Sequence, residues 1–265
     1  AAFIGSLFWI ASLYHVLQVG NLTEEYTLIF QFSSLALFVS ILLGAKKQSG
    51  YLIGIGFLMG AVLLLRPNNI AVWVAIVLVI AWQYLFDTFD LGFFITKMGW
   101  VFFGNILLIL PVILYFYGQG GIQDFFSAYF EYNFLYSSVG IFDRIKSVFI
   151  GYQTLLKSSG ISLIGFFAWV MCAFHVFFRT SSTDDKMLMF LRLLFVGMPL
   201  EVLFSSVSGR SYPHYFITWL PLLAVLVGYL VWDLSQIIKY YCLEMDIKNG
   251  YYTAWLIALM ASFVL

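Results

Sequence analysis

Charged residues are scarce in this chain of 265 residues: Asp, Glu, Lys and Arg make up 10%, while 63% of the residues are hydrophobic. A soluble domain could not cover its surface with so few polar groups. Thirteen basic and thirteen acidic side chains give a net charge of zero, so no basic field indicates a nucleic-acid partner. The composition therefore predicts a helical protein that crosses the membrane several times.

Cysteine is also rare, and the short signatures of soluble enzymes are missing. The spacing of Cys172 and Cys242 fits neither a zinc site nor a disulfide framework, and we interpret both as packing residues. The chain contains no Walker loop and no G-x-S-x-G, H-E-x-x-H or C-x-x-C motif. Soluble nucleotide chemistry is thus unsupported. The sequence predicts no definite cofactor, and whether the protein binds a divalent cation is left open.

Long apolar runs dominate what is present. Only helices or closed barrels satisfy the backbone in hydrocarbon, and these runs lack the alternation of a barrel. The sequence predicts an all-α transmembrane bundle of about nine spans, at 2–19, 26–43, 51–65, 69–86, 98–117, 160–178, 186–207, 214–238 and 251–265. The run 51–65 would reach only ~22 Å. We predict one transmembrane module over 1–265, a fragment that lacks an earlier span and outer loop.

The positions of Lys and Arg in short loops indicate the orientation. Placing the loop 44–50 in the cytoplasm puts seven of the thirteen basic residues inside, among them Lys46, Lys47 and Lys97. The segment 118–159 then lies outside, and its many aromatic residues predict amphipathic helices in the headgroup layer. An aromatic belt with no further function is the alternative for that segment.

Several charged residues fall on the predicted outer face. Glu24 and Glu25 begin the second span, where they suit the positive end of a helix dipole or could meet a metal, a sugar hydroxyl or an acceptor amine. Arg66 follows the short third run and would lie below the membrane surface, which makes it a functional candidate. Glu201, inside the seventh span, needs a proton or a partner, and Arg66 or Arg210 could supply the partner.

The turn between the seventh and eighth spans reads Ser208-Gly-Arg-Ser-Tyr-Pro-His-Tyr215. Arg210 could hold an anion in its planar fork, and His214 could donate a hydrogen bond or a proton. The alternative is that Arg210 contacts lipid phosphate and His214 caps a helix. We interpret His15 and His175 as core histidines and explain Asp87 and Asp233 by solvation at helix ends.

Four segments together resemble bacterial glycosyltransferases of the GT-C superfamily, nearest the family 39-like branch related to protein O-mannosyltransferases and aminoarabinose transferases. They are Gly20-Asn-Leu-Thr-Glu-Glu-Tyr26, Leu65-Arg-Pro-Asn68, Tyr132-Asn-Phe-Leu-Tyr136 and Gly209-Arg-Ser-Tyr-Pro-His-Tyr215. Each motif is short, but their order covers nearly the whole chain. The principal catalytic acid of the family, in the first outer loop, has no counterpart here, and we assign it to the missing amino-terminal part.

The resemblance implies a multi-pass cell-membrane enzyme that transfers a sugar from a polyprenyl-phosphate donor to a lipid, glycan or protein acceptor outside the cytoplasm. It implies catalytic roles for Glu24, Glu25 and His214 and donor-phosphate binding by Arg66 and Arg210. The expected cavity is lined by Asn68, Asn133, Tyr136, Glu201, Tyr212 and Tyr215. A transporter or flippase, or a polymerase or ligase of lipid-linked glycans, is the alternative.

Overall fold

The computed structural model describes residues 1–17, 20, 22–131, 140–178 and 184–244, and no strand occurs among them. This confirms the all-α prediction for that part of the chain. The helices are α1 (Ala2–Val16), α2 (Thr23–Leu42), α3 (Gln48–Leu65), α4 (Ala71–Ala81), α5 (Leu91–Gly118), α6 (Ile122–Phe126), α7 (Ile141–Ser159), α8 (Ile161–Phe177), α9 (Asp185–Ser206) and α10 (Leu220–Glu244). Wider π turns, Trp82–Asp87 and Ser127–Glu131, extend α4 and α6, and 3-10 turns at Pro67–Asn69 and Pro213–Trp219 precede α4 and α10.

Five helices are long and apolar enough to cross a membrane, and a sixth span results if α7 and α8 are counted as one broken span. The five are α2, α3, α5, α9, and α10 together with the 3-10 turn before it. α1, and α4 with its π extension, are apolar but shorter. The predicted ninth span, 251–265, lies outside the described residues. The structure therefore supports a membrane protein with several spans, whereas nine spans remain a prediction.

The prediction that the third run is too short to span is wrong. α3 has 18 residues because Gln48, Ser49 and Gly50 add a turn before the apolar run, and it reaches ~27 Å. It packs closely against α5, since a Cβ added to Gly56 would lie 1.9 Å from the Val101 carbonyl oxygen. Only glycine allows the two backbones to approach this far. Arg66 thus follows a helix of ordinary spanning length.

α7 and α8 form an elbow of 110°. Gly160 lies between them with a φ of +71°, in the left-handed region that favours glycine. Three faces run along α7. Ser147, Gly151 and Leu155 are buried against the bundle, an apolar face is exposed, and Lys146 and Lys157 lie on a polar face. The exposed apolar residues are Ile141, Phe142, Ile145, Phe149 and Leu156.

The 3-10 turn Pro213–Trp219 holds the start of α10 against the rest of the bundle. It packs on α1, α2, α7 and α9, and Phe216 is fully buried beside Gly151 of α7. The Trp219 indole donates a hydrogen bond to the Ser205 hydroxyl at 2.7 Å. Pro213 suits the first position of such a turn, because a backbone N–H at that position would have no acceptor within the turn. The turn places His214 and Tyr215 beside the first turn of α2.

Candidate functional site

The site is built around an ion pair between Arg66 and Glu24, which come from the end of α3 and the start of α2. Glu24 is buried with 2% of its side chain exposed, whereas Arg66 is 18% exposed. Burying a carboxylate this deeply is tolerable because the guanidinium compensates its charge. The structure thus brings together two predicted site residues that are far apart in the sequence.

The Arg66 guanidinium also lies over the ring of Tyr215, with 4.2 Å between its central carbon and the ring centroid. This is a cation–π contact, in which the negative face of the ring attracts the cation. The Arg66 Nε donates a hydrogen bond to the Asn68 side-chain oxygen at 3.0 Å. A carboxylate, a ring and an amide therefore fix the guanidinium from three directions.

His214 joins the same cluster from the turn before α10. Its ring stacks on Tyr212 with 5.6 Å between centroids and meets Tyr215 edge to face at 4.7 Å. It lies within electrostatic reach of Arg66 and Glu25. Tyr212 is 47% exposed, and His214 and Glu25 are half-buried, so this side of the cluster opens outward.

A cavity of about 280 Å³ adjoins Arg66 and is lined by Leu65, Arg66, Pro67, Phe125, Ala128 and Tyr129. Its aromatic wall comes from α6 and the π turn after it. The Tyr129 hydroxyl donates a hydrogen bond to the Leu63 carbonyl oxygen, which joins this wall to the end of α3. Burial raises the pKa of Tyr129 to about 12, so the phenol keeps the proton that it donates.

A polar stripe continues from Glu24 down one face of α2 through Thr27, Gln31 and Ser34, all of them buried. Their spacing of three and four residues keeps them on one side of the helix. Asn69 donates a hydrogen bond to the Thr27 hydroxyl at 3.2 Å, which ties the turn after Arg66 to α2.

The stripe also provides a hydrogen-bond partner for Glu201, which is buried with 1% of its surface exposed. The Gln31 amide donates a hydrogen bond to its Oε1 at 2.8 Å, and Thr218 and the backbone of Val72 also bond to this carboxyl. The sequence left open a proton or an arginine partner for Glu201; its contacts are with these neutral groups, and Arg66 is paired with Glu24. Glu201 therefore lies below the Arg66 cluster, among neutral hydrogen-bond donors.

Arg210 has an exposed side chain. Its backbone oxygen accepts a hydrogen bond from the Ser147 hydroxyl of α7 at 2.9 Å, and its N–H donates to the Ser208 hydroxyl at 3.3 Å. The turn is thereby joined to α7, and Arg210 stands at the edge of the site.

The predicted cavity residues Asn133 and Tyr136 lie outside the described residues. Within the described ranges, no group of three or more His, Cys, Asp or Glu side chains is arranged to hold a metal ion. The divalent cation that the sequence left open therefore has no built site in that part of the chain.

Sequence reasoning missed a second arginine cluster. Arg192 of α9 pairs with Asp87 at the end of the π turn after α4, and its guanidinium lies 4.7 Å from the Trp82 ring centroid. The solvation explanation for Asp87 is therefore wrong. The available signal was Arg192 itself, because an arginine inside an apolar helix requires a partner.

The predictions for the histidines and for Asp233 also need correction. His15 is exposed rather than in the core, since α1 leaves this face uncovered. His175 is partly exposed and bonds through Nδ1 to the Tyr229 hydroxyl. Asp233 is only 8% exposed, so solvation does not account for it either.

Comparison of the chain with protein-family models, with curated proteins and with solved structures gives no match.

Proposed function

We propose that this protein is an integral membrane glycosyltransferase that moves a sugar from a polyprenyl-phosphate donor to a lipid, glycan or protein acceptor outside the cytoplasm. The observation that carries the proposal is the meeting of Glu24, Arg66 and His214 at one end of the bundle, beside a cavity with aromatic walls. Aromatic faces suit sugar rings, and a guanidinium suits phosphate.

The contacts divide the chemical roles among the clustered residues. Glu24 neutralises and orients Arg66, so it acts as a positioning residue. Glu25 and His214 lie on the open side of the cluster and are the better candidates for accepting a proton. Arg66 contributes to the cavity wall, and Arg210 supplies a second cation at the edge of the site.

In the proposed reaction a carboxylate takes the proton of the acceptor hydroxyl. In the family that the sequence resembles, this carboxylate is the acid of the first outer loop; within the present chain the candidate is Glu25, which has His214 within electrostatic reach. The acceptor oxygen then forms a bond to the anomeric carbon while the bond from that carbon to the phosphate oxygen breaks. The polyprenyl phosphate leaves with the electron pair of that bond. Arg66 and Arg210 stabilise the negative charge that develops on the phosphate, which is commonly a large part of catalysis.

Two features of the elbow fit a donor with a lipid tail. If α8 crosses the membrane, the elbow of 110° directs α7 along the surface, where its exposed apolar face would enter the headgroup layer. An apolar cavity of about 360 Å³ lies in the elbow, and its lining includes Tyr152, Phe166, Trp169, Pro199 and Trp219. A prenyl chain could lie there while its phosphate reaches the site.

A transporter or flippase for lipid-linked glycans remains the second candidate, because it too would need cations beside an apolar cavity. Such transporters commonly show paired repeats with broken helices in corresponding positions. The sequence shows no internal repeat. A polymerase or ligase would be expected to carry a large arginine-rich loop near the end of the chain, whereas the long aromatic segment here, 118–159, lies mid-chain and contains α6 and α7.

The test is sugar transfer by membranes that contain the full-length protein, supplied with labelled polyprenyl-phosphate sugars. Arg210→Ala should lower the transfer rate by about 100-fold, since it removes a cation from the developing phosphate charge. Lys146→Ala is the matched control, because Lys146 is an exposed cation on neighbouring α7 that faces away from the bundle.

Unchanged transfer by Arg210→Ala would remove Arg210 from the mechanism. Absence of transfer in the wild-type protein with every labelled donor would overturn the glycosyltransferase proposal. In that case, movement of the labelled lipid from one leaflet to the other in vesicles that contain the protein would favour the transporter or flippase alternative.

A further inference from the structure

A third cavity, of about 220 Å³, lies toward the other end of the bundle, where α8 ends, α9 begins and the middle of α10 passes beside them. It is lined by His175, Phe178, Met187, Leu191, Tyr229, Trp232 and Asp233. Three aromatic rings and one carboxylate thus surround a space too small for a typical drug-sized ligand. None of these residues takes part in the proposed sugar transfer.

The carboxylate of Asp233 is the unusual element of this cavity. Asp233 is 8% exposed, and its Oδ2 is buried with no hydrogen-bond partner among the described residues. A buried carboxylate oxygen without a donor is costly and calls for a partner that a ligand could supply.

His175 does not fill this need. Its Nδ1 bonds to the Tyr229 hydroxyl and lies 4.0 Å from the Asp233 Oδ1, which is too long for a hydrogen bond. The His175 imidazole is thus bonded to the Tyr229 hydroxyl, and the Asp233 Oδ2 still lacks a hydrogen-bond donor among the described residues.

We propose that this cavity binds the ammonium group of a small primary amine, with Asp233 accepting its N–H bonds and the Trp232, Tyr229 and Phe178 rings surrounding its charge. Aromatic rings attract ammonium cations through their negative faces. A primary ammonium carries the N–H donors that Oδ2 lacks, whereas a quaternary ammonium has none. The site therefore prefers an aminoethyl group to a choline group.

The position of the cavity allows two sources of the amine. Trp232 is 42% exposed and Phe178 is 67% exposed, so the cavity opens at the side of the bundle. Asp233 precedes Lys239, the end of the predicted membrane-crossing segment, by ~9 Å of helix. The amine is either the headgroup of an ethanolamine lipid or a free aminoethyl compound.

The first experiment titrates methylammonium chloride into the purified full chain in an uncharged detergent and follows the heat of binding. Tetramethylammonium chloride and sodium chloride at equal ionic strength serve as comparisons. Methylammonium should bind saturably, and tetramethylammonium should bind at least ten-fold more weakly. Asp233→Asn should weaken methylammonium binding at least ten-fold, and Trp232→Leu should weaken it several-fold.

Asp184→Asn is the matched control, because Asp184 is an exposed carboxylate that caps α9 near the same end and asparagine can also cap. This variant should bind as the wild-type protein does. Circular dichroism and gel filtration check that each variant is folded. Trp232→Leu keeps the proposal testable if Asp233→Asn fails to fold.

The second experiment places the protein in nanodiscs with equal amounts of ethanolamine and choline lipids and identifies the retained lipids by native mass spectrometry. Retention of ethanolamine lipid by the wild-type protein, lost in Asp233→Asn, would assign the lipid headgroup as the ligand. Methylammonium binding without lipid retention would assign a free amine. Equal methylammonium binding by the wild-type protein and Asp233→Asn would overturn the proposal. So would the combined absence of saturable methylammonium binding and of retained ethanolamine lipid. Either result would leave the sugar-transfer proposal untouched.

Discussion

The two ends of the bundle carry the same three groups, an arginine, a carboxylate and an aromatic ring, but expose them differently. At one end Arg66 pairs with Glu24 over the Tyr215 ring, and at the other Arg192 pairs with Asp87 over the Trp82 ring. In the first pair the carboxylate is the more buried partner, at 2% against 18% for the arginine. In the second pair the arginine is more buried, at 8% against 32% for the carboxylate.

This difference distinguishes a candidate functional site, the pair of Arg66 and Glu24, from a structural contact, the pair of Arg192 and Asp87. We call the second pair the clamp. Arg66 contributes to a cavity wall and has His214 within electrostatic reach, so its charge can act on a ligand. Arg192 lies inside the bundle and holds α9 to the end of α4. An arginine paired with a carboxylate over an aromatic ring does not by itself indicate function. What indicates function is that a ligand can reach the guanidinium.

The largest effect should come from removing the accessible arginine. We expect Arg66→Ala to lower sugar transfer by two to three orders of magnitude, or about 3–4 kcal/mol of transition-state stabilisation, because it removes a fixed cation from the developing phosphate charge. Arg192→Ala should leave the transfer rate per folded molecule unchanged. Both rates are measured in membranes and normalised to the amount of folded protein. Equal losses in the two variants would end the distinction between the clusters.

A smaller effect should distinguish the two partners within the clamp. Asp87→Ala leaves the Arg192 guanidinium buried and uncompensated, and arginine cannot lose its proton. We expect this variant to lower the free energy of unfolding by about 3 kcal/mol. Arg192→Met should cost much less, since it leaves only the partly exposed Asp87 carboxylate.

Denaturant unfolding in detergent, followed by circular dichroism, measures both variants of the clamp. The asymmetry is the critical result, because a pair exposed equally on both sides would give similar losses. Stability losses of the same size in Asp87→Ala and Arg192→Met would show that the guanidinium reaches water, contrary to its 8% exposure.

Hydropathy predicted the long helices well because burial in lipid is a property of each run alone. The predicted spans 26–43 and 186–207 correspond to α2 and α9 within three residues at each end. α5 begins at Leu91, seven residues before the predicted 98, because Asp90 accepts a hydrogen bond from the Phe93 N–H and starts the helix there. Boundaries depend on such local bonds, which hydropathy does not report.

The candidate site was predictable in its members but not in their contacts. The orientation indicated by Lys and Arg in the short loops placed Glu24 and Arg66 on the same outer face, whereas the short-helix argument for the depth of Arg66 was wrong. The Tyr215 ring under Arg66 and the Gln31 bond to Glu201 depend on how α2, α9 and the turn before α10 pack, and no short pattern encodes that packing. The elbow after α7 likewise depends on one glycine, Gly160.

The smallest effect should come from the rings beneath the two arginines. Tyr215→Leu removes the negative face under Arg66 but keeps an apolar side chain, and we expect it to lower the free energy of unfolding by about 1 kcal/mol. Tyr215→Phe keeps the face and should have a smaller effect, and Trp82→Leu should act on Arg192 as Tyr215→Leu acts on Arg66. The same unfolding measurement applies to all three. If Tyr215→Phe costs as much as Tyr215→Leu, the phenol hydroxyl rather than the ring face stabilises the cluster, and the likeness between the two ends reduces to their ion pairs.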